Sequence, residues 1–169
     1  MKEVIRSSAF ETNSSSSHSM VIIGGEFVKE TLSPNSHGEI DIYGGEFGWG
    51  VEEHSDAATK ASYCLSYLMM NQDVENIESK SFKSSDEDWM NFQWNNFTGN
   101  KKDLALLVES IHEATGCDVR FVKESGWDGF GHIDHQSDYV GKEAFESKEN
   151  LIAFIFNPKS SILISNDNM

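Results

Sequence analysis

Apolar positions alternate or run together at both ends of the chain and recur at helical steps in its middle. Residues 2–8 and 18–23 read as two strands around a polar connection at 11–17. The second has a continuous apolar centre, Met20-Val21-Ile22-Ile23, closed by Gly24-Gly25. Glu39–Tyr43 alternates polar and apolar and predicts a half-buried strand between turn-rich sequence holding Pro34, Asn35 and Gly38 and the pair Gly44-Gly45. Ser55 stands as the cap of the clearest helix, in which Ala57, Ala61, Cys64, Leu65, Leu68 and Met69 share one face. A second helix is predicted over 101–114, striped by Leu104, Leu107, Val108 and Ile111 and ended by Gly116.

A strand over 117–122 follows. Ser147 then caps a short helix running to Phe156, Pro158 stops it, and residues 161–165 (SILIS) form a last strand. Between the main helices, Trp89, Phe92, Trp94 and Phe97 partly suit a helix from Ser85, although the asparagines among them oppose it. No repeat or linker divides residues 1–169, so one domain is expected. Short connections between the first strands predict an α+β fold: a mostly antiparallel sheet, two main helices and a short C-terminal helix.

Composition narrows the function classes. Against 13 Lys and Arg the chain sets 28 Asp and Glu, a formal charge of −15, and its densest basic run is Lys101-Lys102. Direct nucleic-acid binding is disfavoured, because it needs clustered cations against phosphate. A partner with a basic surface suits this charge, as does solubility alone. Eleven Phe and four Trp supply a core despite only 38% hydrophobic residues. Cys64 and Cys117 offer neither zinc spacing nor a redox motif and read as small buried hydrophobes. The opening MKEVIRSSAF has no apolar run of signal-peptide length and no stretch is long enough for a membrane span, so cytoplasmic residence is expected.

Two segments carry candidate chemistry. In the first, Asn13, Ser14, Ser15, Ser16 and Ser17 can present hydroxyls and backbone N–H groups to an anionic substrate. His18, where the next strand begins, can serve as general base. The plainer reading is a serine-rich hairpin loop that satisfies its own backbone. In the second, 126–137, three glycines in six residues permit close approach to a ligand and exclude a stable helix. His132, Asp134 and Gln136 then point one way and His135 the other. Asp134 can orient an imidazole, His135 can act as base, and Gln136 can hold substrate. His132, Asp134 and His135 also suit zinc or a harder divalent ion, a site that needs help from another loop. A hydrogen-bonded turn is the competing reading.

The run Tyr43-Gly44-Gly45-Glu46-Phe47-Gly48-Trp49-Gly50 lacks the Lys and Ser/Thr of a phosphate loop and leads into Val51-Glu52-Glu53. It reads as a tight loop over Phe47 and Trp49, with Glu46 its one site candidate. Asn166-Asp167-Asn168 reads as a polar tail.

The runs Arg6-Ser7 and FETNSSSSHS, the GGEFGW loop with Lys60-Ala61-Ser62-Tyr63 after it, IDHQS from Ile133, and the FIFNP and NDN endings resemble a group of small bacteriophage and bacterial proteins. No activity attaches to that group. The resemblance therefore implies a phage-type setting in the host cytoplasm and supplies no catalytic residue. An ADP-ribosyltransferase is set aside, since Glu143 and Glu146 stand three apart rather than in a Glu-x-Glu signature.

Two functions compete at this level, with a structural accessory protein of a virion as a third reading. One is a hydrolase or group transferase on a phosphorylated or nucleotide-like substrate, using His18, Asp134 and His135. The other is a non-enzymatic acidic inhibitor or decoy of a basic host defence protein, with Glu52, Glu53, Asp86 and Asp88 in its face.

Overall fold

The computed structural model describes residues 4–10, 16–48, 50–83, 93–125, 129–133 and 141–166. The elements, in chain order, are β1 (Val4–Phe10), β2 (Ser16–Ile23), β3 (Glu39–Tyr43), β4 (Glu46–Phe47), β5 (Glu52–His54), α1 (Ala57–Leu68), β6 (Lys80–Phe82), α2 (Lys101–Thr115), β7 (Asp118–Val122), β8 (His132–Ile133), α3 (Lys148–Phe156) and β9 (Ser161–Asn166). The fold is α+β. One antiparallel sheet has the order β1-β2-β9-β5, a second sheet β3-β7-β6, and β4 and β8 form a two-stranded parallel pair. Within the second sheet β3 and β7 are parallel, since the chain passes through α1 and α2 between them.

Periodicity places the core side of each sheet. In β2, His18, Met20 and Ile22 are buried, as are Ile162 and Ile164 in the neighbouring β9, while Leu163 faces outward at 46% exposure. Val119 and Phe121 of β7 do the same in the second sheet. Helix α3 packs on β2 and on both other helices, whereas α1 packs on β3 and α2 on β7, so the helices connect the two sheets. Leu65, Leu68, Leu107 and Ile111 are buried, as their helical stripes predict.

Helix α1 goes beyond its stripe. Lys60, Tyr63 and Ser66 are buried with the apolar face, leaving little of the helix surface to solvent. A helix buried nearly all round reads from sequence as merely amphipathic when its extra buried positions are polar. Its cap is Asp56, not the expected Ser55. The Asp56 carboxylate accepts from the Thr59 N–H at 2.9 Å and from the Thr59 hydroxyl at 2.7 Å, and Ser55 is exposed. Helices α2 and α3 are capped by Asn100 and Ser147, and Gly116 ends α2 at φ 72°. Trp94 and Phe97 are buried in a turn with Asn96 at φ 70°, and Trp94 stacks on Phe121. Residues 84–92, where a helix from Ser85 was expected to begin, lie outside the described residues. Cys64 is buried but Cys117 only half so. Among the described residues no helix is long and apolar enough to cross a membrane.

Candidate functional site

The first sheet aligns side chains from distant parts of the chain in cross-strand rows. His18, Ile164 and Glu52 form one row and Met20, Ile162 and His54 the next, all on the face turned to the core. His18 is 1% exposed, and its Nδ1 lies 3.3 Å from the Tyr63 hydroxyl. Burial pushes the Tyr63 phenol far above its usual range, so it stays protonated. The contact joins the phenol to the His18 ring inside the core.

Phe47 sits against this pair. Its ring centroid is 5.0 Å from that of Tyr63 and 5.6 Å from that of His54, edge-on to both. On the far side, His54 Nε2 lies 3.1 Å from Glu52 Oε1, and the other Glu52 oxygen accepts from the Gly48 N–H at 2.8 Å. A strand puts residues two apart on one face, which brings Glu52 and His54 together while Glu53 faces solvent. A carboxylate only accepts hydrogen bonds, so this contact places a proton on Nε2 of His54. The two side chains keep 26% and 22% exposure, so the imidazole is partly open to solvent.

The β4–β8 pair abuts the cluster, with Phe47 in register with Ile133 and Glu46 with His132. Ser66 of α1 ties it down: its hydroxyl accepts from the Gly45 N–H and donates to the Phe130 carbonyl, each at 3.1 Å. The His132 N–H donates to the Gly45 carbonyl at 2.8 Å. Glycine is required at Gly44, where an added Cβ would stand 1.9 Å from the Phe130 carbonyl carbon.

His18 is buried within this cluster. Glu46 is exposed and His132 half-buried on the pair beside it. Ser16 and Ser17 belong to β2, in register with Asn166 and Ser165, rather than to the connection before it. Asn13, Ser14, Ser15, Trp49, Asp134, His135, Gln136 and Ser137 lie outside the described residues, as do Asp86 and Asp88. His18 meets the Tyr63 hydroxyl, the Tyr63 ring meets Phe47, and Phe47 is in register with Ile133. Among the described residues no group of three or more His, Cys, Asp or Glu is placed to hold a metal ion; the His132, Asp134 and His135 set extends past them.

Sequence reading missed Glu52, His54 and Tyr63. The available signal was Glu-x-His after Gly50, whose alternation in an extended stretch pairs a carboxylate with an imidazole; beside Glu53 it reads as a plain acidic cluster. No protein-family model, curated protein or solved structure matches the chain.

Proposed function

We propose that the protein is a hydrolase or group transferase working by general acid–base catalysis, with His54 as its base. The observation that carries this is the solvent-reachable imidazole of His54 held through Nε2 by Glu52. Nδ1 of His54 takes the proton of an attacking water or substrate hydroxyl as its oxygen bonds to the electrophilic centre. The leaving group then departs with the proton returned by the imidazolium. Glu52 keeps the ring in the productive tautomer and stabilises its cationic form. His18 and Tyr63, both enclosed, act as positioning residues through Phe47.

The substrate class is phosphorylated or nucleotide-like. Support comes from the hydroxyl-rich run ending at Ser16 and Ser17, which enters the sheet beside the His18–Ile164–Glu52 row. The phage-type host-cytoplasmic setting belongs to this proposal through the sequence resemblance. The test uses p-nitrophenyl phosphate, bis(p-nitrophenyl) phosphate and cytidine 2′,3′-cyclic phosphate, with p-nitrophenyl acetate as the acyl comparison. Turnover of a phosphorylated substrate is expected, with His54→Ala lowering it by about 10²–10⁴-fold at unchanged melting temperature. No turnover of any of them, or equal turnover by the variant, overturns the proposal.

A further inference from the structure

A cavity of about 500 Å³ lies between the stretch that follows β2 and helix α3, away from the imidazole cluster. Ile22 on its floor is four residues along β2 from His18, roughly 13 Å at the rise of a strand. Phe27 and Ile152 complete an apolar floor, and Glu26, Glu113, Glu149 and Lys29 stand around it. Glu113 pairs with Lys148 at 2.8 Å, whereas Glu26 and Glu149 form no ion pair among the described residues. The wall is anchored at both ends. The Asn157 amide donates to the Ile23 carbonyl at 2.6 Å, and the Glu30 N–H donates to the Phe156 carbonyl at 2.8 Å. Between these anchors Val28 is left 87% exposed.

We infer that this groove docks a short basic segment of another protein, one carrying a large apolar side chain flanked by Lys or Arg. The apolar floor takes the anchor, as in other recognition grooves. An uncharged apolar occupant would strip water from Glu26 and Glu149 without replacing their hydrogen bonds, which opposes it. A second copy of this chain would bring another −15 charge to an acidic rim. A cationic segment meets both demands, and its attraction to the rim raises its rate of encounter. The surface differs from the Glu52, Glu53, Asp86 and Asp88 face expected from sequence. The inference is independent of the catalytic proposal, because none of the groove residues named here belongs to the imidazole cluster.

Fluorescence anisotropy tests it with three labelled peptides of about 14 residues, long enough for four helical turns. One is an amphipathic Leu/Lys sequence, the second replaces each Leu by Ser, and the third replaces each Lys by Glu. The Leu/Lys peptide is expected to bind one-to-one, and Glu26→Lys with Glu149→Lys to weaken it about tenfold or more. The pair Glu53→Lys with Glu75→Lys changes net charge equally at exposed positions outside the groove and is expected to weaken binding by less than about threefold. Equal weakening by the two double variants, equal binding of the Leu/Lys and Ser/Lys peptides, or no saturable binding overturns the inference.

Discussion

Lys60 offers a prediction that can be worked from its surroundings. Its side chain is 1% exposed, and Nζ donates to the carbonyls of Asn157 at 2.8 Å and Ser160 at 2.9 Å, joining α1 to the turn before β9. Nζ also lies 5.9 Å from the centre of the Phe154 ring. Burial is the largest influence on its ionisation and lowers its pKa from 10.5 to about 8, although Glu30 and Asp56 pull the other way. Because the folded value is depressed, the unfolded chain holds more of this proton between about pH 8 and 10.5. Stability therefore rises with pH across that window. The full shift would correspond to about 3 kcal/mol; discounted for relaxation and water penetration around Nζ, about 1–2 kcal/mol is expected. Urea unfolding of the wild type and Lys60→Met at pH 7 and pH 10 isolates it, since titration of the other groups is common to both. The wild type should gain about 1–2 kcal/mol relative to the variant on going to pH 10. Parallel pH dependences, or a relative loss, would refute the argument that Lys60 is buried at a desolvation cost.

Two further expectations concern packing. Leu107→Ala should cost about 2–5 kcal/mol in denaturant melts, because Leu107 is fully buried in α2; a loss below about 0.5 kcal/mol would contradict that burial. Gly131→Ala should destabilise by about 1–3 kcal/mol. Its φ is +88°, and a Cβ there would stand 2.4 Å from backbone atoms of Gly45 and from the Ser66 hydroxyl; an unchanged melt would show that β4 and β8 are not held as described.

Most of the fold was legible because its longer elements carry period and punctuation together. Glu39–Tyr43, the stripe and Gly116 terminus of α2, and the Ser147 cap before Pro158 all combine a repeat with a stop signal, and each lies within a residue or so of its expected place. Strands of two or three residues carry no period. β4 and β8 exist because they pair with each other and β5 because β9 pairs with it, and nothing local to Glu46-Phe47 or Glu52–His54 announces that. The candidate site suffered for the same reason. His18 was visible as a polar residue at a strand start, but its partner Tyr63 lies 45 residues away within α1, on a position outside the apolar stripe. Glu52 read as part of an acidic face and His54 carried no reading, whereas β5 turns both toward the face that holds His18 and Met20.

The central claim is that the His54 imidazole itself performs proton transfer. The most direct measurement is the rate of His54→Ala on the substrate that the wild type turns over, with and without imidazole added to the solution. Expected are a loss of about 10²–10⁴-fold, an unchanged melting temperature, and saturable partial recovery of rate with added imidazole, which supplies the missing base. A variant that keeps full activity would contradict it. So would a loss that follows a fall in melting temperature and does not respond to imidazole.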